Sequence, residues 1–413
     1  MNKKIGVFIG LGIALLAAGV WLSGQDKEDA SLLLKIGDQR FRDKTLDIIP
    51  GKIYSAQTGT PVTFDHMIRE LAACRFVYIG ESHNNQAMHD IQIEVIRALY
   101  AQDRSVAVGL EMYPVTAQEA LAKWSLGLLS DDEFLAVGQW YVNWNFNFGY
   151  YRKIFEFSKE MKIPLRALNV PREIITKIRM AGWDALSEDQ KKLVPPLDLS
   201  NSDHRRLIRT VFESSDLPPQ MKGAGLDMVF EGLYRSQVAW DEVMAANALK
   251  AADVENRRVV VLAGSGHLLY NLGINLRVFE KSRQHSKTIV CVSVPAAKSL
   301  KVSRSLADFI WGIPEEKRPA YPEIGLALKK FSGLENLVVE RKPIDGAASA
   351  ADFDKGDIIL AVDGKPYSDI NTLRTYLAKF GWDQEVQFRT LRAGQEKEVI
   401  LKLVQPPPAE PSK

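Results

Sequence analysis

The sequence predicts an α/β protein, a mainly parallel sheet with helices on both faces, joined to a small β-rich domain. Three observations predict it. Apolar runs at Arg75–Ile79, Ser105–Leu110, Leu165–Leu168, Val259–Ala263 and Thr288–Val294 have the length and unbroken hydrophobicity of strands buried on both faces. Helical stretches separate most of them, which is the order of a parallel sheet with crossover helices. Beyond residue 315 the pattern changes to short strands punctuated by Gly, Asp and Pro.

Composition sets the bounds. A chain of 413 residues suits two domains plus tails. A 46% hydrophobic and 25% charged composition is that of a globular protein with a real core. The formal charge of +2 gives nucleic acid no electrostatic footprint. The two cysteines, Cys74 and Cys291, sit at or inside apolar runs and read as small core residues. A disulfide between them is left undecided, and no Cys/His zinc spacing exists.

The first 24 residues read as a signal peptide or membrane anchor. Lys3 and Lys4 precede an uncharged apolar run from Ile5 to Leu22, and Asp26, Glu28 and Asp29 follow it. The basic end stays in the cytoplasm and the rest crosses, so the folded part is expected in the periplasm, held at the inner membrane. Residues 25–49 read as a tether, 50–300 as the α/β domain, 315–405 as the second domain and 406–413 as a flexible, proline-bearing tail.

The elements follow in order. Thr63 is placed to cap a helix Phe64–Ala73. Helices are predicted at His89–Tyr100, Tyr151–Met161, Glu173–Met180 and Leu233–Ala251. Residues 140–151 are dense in aromatics: Trp140, Tyr141, Trp144, Phe146, Phe148, Tyr150 and Tyr151. Such a run is either a platform for a flat ligand or, as favoured here, a loop pinned onto the core.

Polar residues fall at the strand ends. Arg75–Ile79 runs into Gly80, Glu81, Ser82 and His83; Ser105–Leu110 into Glu111 and Tyr113; Leu165–Leu168 into Asn169, Pro171 and Arg172; Val259–Ala263 into Gly264, Ser265, Gly266 and His267. In a parallel sheet these ends share one rim, where open α/β folds place their sites. Glu81, His83, Glu111 and His267 therefore converge as the candidate site. Two histidines and two acids have the chemistry of a divalent-metal ligand set, and equally of a general acid–base pair. Asn169 and Arg172 either join the rim or cap the helix that Pro171 opens. Tyr113 and Tyr270 lie beside rim residues, and a tyrosinate is a known haem-iron ligand. Gln237 and Asp241 share a helix face and either reach the rim or stay solvated. His66, His89, His204 and His285 read as ordinary surface or helix residues.

The motifs Gly80-Glu81-Ser82-His83, Leu110-Glu111-Met112, Asn169-Val170-Pro171-Arg172, Trp240-Asp241-Glu242 with Met244-Ala245, and Gly264-Ser265-Gly266-His267 resemble, in this order, those of the ChaN-like proteins. That family is described as haem-binding and iron-regulated, within a group that includes the Tiki metal-dependent peptidases and the erythromycin esterases. The resemblance covers roughly residues 50–295. It implies haem or iron handling outside the cytoplasm, with haem near His83, Tyr113, Asn169, Arg172, His267 and Tyr270, and dimer formation around the ligand. The wider group implies a divalent metal such as manganese or cobalt on Glu81, His83, Glu111 and His267, or catalysis by the same four residues.

The second domain carries its own motifs. A glycine-bearing loop, Ile324-Gly325-Leu326-Ala327, precedes a strand at Leu337–Val339, a strand bounded by turns within Phe353–Gly364, a helix Asp369–Phe380 and a hairpin of Val386–Thr390 with Glu398–Leu403. This order resembles a bacterial PDZ domain. The resemblance implies capture of a protein C-terminus by strand addition, with Gly325, Leu326, Ala327 and Leu328 receiving it. The leading expectation is a haem- or iron-handling envelope protein with PDZ-mediated recruitment. The alternative is a metal-dependent hydrolase whose PDZ domain presents a protein substrate.

Overall fold

The computed structural model describes residues 30–214 and 225–404, so the N-terminal apolar run and the C-terminal tail lie outside the described residues. The chain divides into two bodies. The first comprises residues up to Leu128 and Lys153–Glu316, and the second Leu129–Arg152 with Lys317 onward.

The first body begins with strands β1 (Thr45–Ile48), β2 (Ile53–Ser55) and β3 (Thr60–Val62). Helix α1 (Phe64–Ala72) follows, capped by Thr63, whose side chain accepts from the His66 N–H. Then come β4 (Phe76–Glu81), α2 (Gln86–Gln102), β5 (Val106–Pro114) and α3 (Gln118–Ser125). Helices α4 (Asp131–Val137) and α5 (Trp140–Asn143) belong to the second body. The chain returns with α6 (Arg152–Glu160), β6 (Leu165–Asn169), α7 (Arg172–Ala181), α8 (Glu188–Leu193), α9 (Ser202–Ser214) and the long α10 (Leu226–Glu255). Strand β7 (Arg258–Gly264), helix α11 (Ile274–Ser282) and strands β8 (Ser286–Val294), β9 (Leu300–Ser303) and β10 (Phe309–Pro314) complete it.

Eight strands form one sheet in the order β3-β2-β10-β8-β4-β7-β5-β6. From β10 to β6 every neighbouring pair is parallel, and β2 and β3 add antiparallel at one edge. Strands β4, β5 and β7 are buried at every residue, as their uninterrupted apolar runs require. The expected parallel sheet is therefore present. It is wider than the sequence reading, because β10 pairs with β8 and the first domain runs to Glu316 rather than 300.

Residues 30–49 correct the expected tether. β1 pairs with β9, and Leu32, Ile36, Leu46 and Ile48 are buried in a cluster with Tyr234, Val290 and Val302. Burial of four aliphatic side chains removes enough apolar surface from water to fix a segment that polarity alone reads as a linker. Cys74 and Cys291 are both buried free thiols, as core residues should be.

The second body holds a five-stranded antiparallel sheet in the order β11 (Leu328–Lys330), β12 (Leu337–Val339), β13 (Ile358–Val362), β14 (Glu385–Arg392) and β15 (Gln395–Lys402), with helix α12 (Ile370–Leu377). Its core includes Leu337, Val339, Ile359, Leu373, Leu377 and Phe388. Residues 129–152 pack with it rather than with the domain that precedes them in sequence. Their rings form a cluster, with Trp140 5.1 Å from Phe148 and 5.2 Å from Tyr151 between centroids. The aromatic run is thus a pinned segment, as favoured from sequence, pinned to this second body.

Candidate functional site at the strand rim

Four strand ends deliver the rim. Parallel pairing sets Glu81 at the end of β4 opposite Gly264 at the end of β7, and β5 runs alongside β7 to carry Glu111 one residue past their last pairing. His83 follows β4, and His267 sits in a 3-10 turn, Ser265–His267, after β7. All four candidates are nearly buried: Glu81 is 2% exposed, His83 5%, Glu111 8% and His267 8%. Buried ionisable groups persist only with partners, and the partners define two linked clusters.

The first cluster surrounds Glu81. Its Oε1 lies 2.9 Å from His83 Nδ1, and its Oε2 accepts from Gln92 Nε2 at 2.6 Å. With the Gln92 amide turned that way, its carbonyl faces His89 Nδ1 at 2.9 Å. His89 Nε2 lies 3.3 Å from the His83 carbonyl oxygen. His89 is therefore a buried member of the site, which corrects its reading as an ordinary helix residue. Asn85 places the helix that carries His89 and Gln92, since its side chain accepts from the Met88 N–H at 3.0 Å and caps α2.

The second cluster surrounds His267. Its Nδ1 lies 2.6 Å from Asp241 Oδ1, and its Nε2 3.5 Å from Glu111 Oε1. The Gln237 amide lies 2.8 Å from Nδ1, so Gln237 and Asp241 do reach the rim from one face of α10. His204 Nε2 is 3.3 Å from the other Asp241 oxygen, and Arg277 Nη1 is 3.7 Å from it. His204 is wholly buried and is likewise no surface residue. The Trp240 ring meets the His267 ring edge-on at 6.1 Å.

Gly264 joins the clusters. Its N–H donates to Glu111 Oε2 at 2.6 Å. A side chain there would meet the His83 ring, with Cβ only 2.8 Å from Cε1 and 3.6 Å from Glu111 Oε2. Glycine is what lets both carboxylate–histidine pairs close around one backbone position.

Charge follows from these contacts. Burial pushes the His267 imidazolium down, but Glu111 and Asp241 outweigh it and raise its pKa to about 10. Burial pushes Asp241 up, but His267, His204 and Arg277 prevail and hold it at about 2. Glu111 is likewise lowered, its burial outweighed by His267, His83 and the Gly264 N–H. At neutral pH the His267 ring is thus a cation between two carboxylates.

Glu81, His83, Glu111 and His267, the metal set expected from sequence, reach one rim, with the His267 ring between the carboxylates of Glu111 and Asp241. Among the described residues no group of three or more His, Cys, Asp or Glu side chains is placed to hold a metal ion.

The remaining candidates are placed as follows. Asn169 donates to the Glu111 carbonyl oxygen at 3.2 Å and braces the rim backbone rather than capping α7. Arg172 is the first residue of α7 and is exposed. Tyr113 is fully buried, its ring 6.5 Å from that of Phe155. The Tyr270 hydroxyl donates to the Ser31 carbonyl at 2.7 Å and accepts from the Leu34 N–H at 3.0 Å. It anchors the N-terminal segment and does not turn to the rim, so its reading as a haem ligand is corrected.

The PDZ loop has the expected form. Gly325 adopts φ +72°, and a side chain there would overlap the Asp345 carbonyl. The Ala347 and Ala348 N–H groups donate to the Glu323 and Ile324 carbonyls and fix the loop from outside. Among the described residues no acceptor faces the N–H groups of Gly325, Leu326 or Ala327. Leu326 and Leu328 are buried beside them.

Comparison with known proteins agrees with the motifs. A family model described as "Haem-binding uptake, Tiki superfamily, ChaN" matches residues 67–278, slightly more than half of the chain. A PDZ domain model matches residues 322–403. Protein RETICULATA-RELATED 5, chloroplastic, of Arabidopsis thaliana is 24% identical over 286 residues, which are 64% of this chain and 38% of the plant protein. The chain thus spans well under half the length of that relative. Among solved structures, ChaN of Campylobacter jejuni with cofacial heme is 19% identical, with a TM-score of 0.49 over 65% of this chain and 96% of that one. An erythromycin esterase in its open conformation is 12% identical, with a TM-score of 0.39 over 64% and 98%. The HtrA-type protease AlgW with a decapeptide is 21% identical, with a TM-score of 0.20 over 30% and 42%.

Proposed function

We propose, because the chain belongs to the ChaN family of haem-binding uptake proteins in the Tiki superfamily, that it handles haem or haem iron in the cell envelope and recruits a partner protein through its PDZ domain. The observation that carries this reading is the extent of the family match. It runs from α1 into α11 and takes in every rim motif. Haem titration followed by absorbance tests it: a Soret band should develop and saturate, and its absence overturns the haem reading.

Of the predicted haem contacts, Tyr270 has its hydroxyl committed to backbone and Tyr113 is sealed from solvent, so haem ligation is assigned to neither tyrosine.

Envelope location rests on Lys3 and Lys4 before the apolar run and the acids after it. A phosphatase fused after residue 30 should be active, and an inactive fusion excludes that topology. Dimer formation around haem is checked by sedimentation with and without haem. For the PDZ domain, a peptide with a free apolar C-terminus should bind and its amide should not, because the unpartnered loop N–H groups await a carboxylate.

A second reading is favoured by one observation, the meeting of two carboxylate–histidine pairs at Gly264. In this reading the site is a hydrolytic centre. Glu81 orients His83 to take a proton from water, and the His267 cation stabilises negative charge growing on the attacked carbonyl oxygen. Ester or peptide cleavage that survives chelation and disappears in His83→Ala supports it. No cleavage of either bond type removes it.

A further inference from the structure

The helix that would border a PDZ-bound peptide is already held by the chain's own insert. β11 is the edge strand of its sheet, with β12 on one side only, so an added strand would lie between β11 and α12. Three faces of α12 can be told apart. Leu373 and Leu377 point into the core. Tyr376 bonds Asp363 at 2.8 Å, and Asp363 also accepts from the Gln387 N–H on β14, so that face looks toward β13 and β14. Asn371, Arg374 and Ala378 lie across the helix from Tyr376, and α12 runs beside β11.

The insert grips this third face. Asn371 accepts from the Tyr141 N–H at 3.0 Å and donates to the Leu135 carbonyl at 3.0 Å. Arg374 donates to the Tyr141 carbonyl at 2.8 Å and to Asn145 Oδ1 at 3.1 Å. Asn147 donates to the Ala378 carbonyl at 3.1 Å. At the loop end, the Tyr150 ring packs edge-on against Tyr321, 4.9 Å between centroids, just ahead of Ile324–Ala327. The insert therefore contacts the helical wall and Tyr321, three residues before the loop that receives the carboxylate.

We propose that residues 129–152 mask the peptide groove, so that the insert and a partner's C-terminus compete for the Asn371–Arg374–Ala378 face of α12. This rests on the PDZ reading above. The composition of the contact favours displacement. On α12 it is built from hydrogen bonds between polar groups, which water or a peptide backbone replaces at small net cost. The insert keeps its own aromatic cluster of Trp140, Phe148 and Tyr151 when it lets go.

The test uses the full chain, a fluorescein-labelled octapeptide ending in a free valine, and the same peptide amidated. The double substitution Asn145→Ala with Asn147→Ala removes two of the insert's bonds to Arg374 and Ala378, leaves α12 unchanged and should tighten binding of the free acid by about tenfold or more. Equal or weaker binding by a variant with an unchanged melting curve overturns the proposal. Should the variant fold poorly, hydrogen exchange on the wild-type chain decides. Saturating peptide should speed exchange at the Tyr141 amide, which its bond to Asn371 protects. Unchanged protection there, with peptide bound, overturns the proposal while leaving the PDZ reading intact. Equal binding of acid and amide removes the PDZ reading, and the proposal with it.

Discussion

Gly264 lies under the His83 ring so closely that a methyl group on it would stand 2.8 Å from Cε1 and 3.2 Å from Nε2. The contact makes a backbone position on one strand responsible for the pose of a side chain from the next. Gly264→Ala should push the ring away from Glu81 and cost about 1–3 kcal/mol through overpacking. In His83→Ala the same substitution should cost much less, because the clashing ring is gone. Denaturant unfolding of the four proteins in this cycle measures it, and additive costs would contradict the contact.

The charge state of His267 sets a pH dependence. Its folded pKa of about 10 lies above the ordinary imidazole value of 6.5, so its contribution is complete below pH 6.5 and is lost as pH rises through 10. Asp241, held at about 2 against 3.8, contributes fully above pH 3.8 and loses this as pH falls toward 2. Asp241→Asn should cost about 3–5 kcal/mol, the cost of breaking a buried pair, and should lower the His267 titration midpoint. Nitrogen-15 NMR of the ring reads that midpoint. A wild-type midpoint near 6.5 would refute the assigned charge.

Tyr270 separates structure from ligation. Loss of its hydroxyl breaks bonds to Ser31 and Leu34, so Tyr270→Phe should lower stability by about 1–3 kcal/mol. The haem Soret band should keep its position and amplitude. A shifted band in this variant would return Tyr270 to the ligand set.

The thiols should be silent. Burial raises Cys291 to about 12 and Cys74 to about 11, far from the thiolate that reacts. A disulfide-exchange reagent should label neither cysteine in native protein and both after denaturation. Rapid labelling of Cys291 in the native state would show that its strand opens.

Much of this was legible in the sequence because strand ends announce themselves. An apolar run stopping at Glu81, Glu111 or Gly264 marks both the sheet and its rim. The helical contributors were harder to read. In α10, buried residues occur almost all round, so periodicity could place Gln237 and Asp241 on one face without saying what that face meets. Gln92, His89 and His204 gave no such signal, because a buried polar side chain is written in the same letters as a solvated one. β10 escaped notice because it ends in Trp311-Gly312-Ile313-Pro314 and finds its partner β8 across an intervening strand. The attachment of residues 129–152 to the second body rests on Asn371, Arg374 and Asn147, polar contacts more than two hundred residues apart in the chain.

That attachment bears on how such a protein can be shortened or rearranged. The chain passes between the two bodies after Leu128, after Arg152 and after Glu316. The PDZ domain is therefore not a cassette that recombination can append or delete cleanly. A frameshift just after Glu316 would spare every rim residue yet strand Tyr141, Tyr150 and their neighbours without the surface they fold against. The product would carry the aromatic insert without its partner surface, so deleting the PDZ domain cleanly means removing residues 129–152 as well.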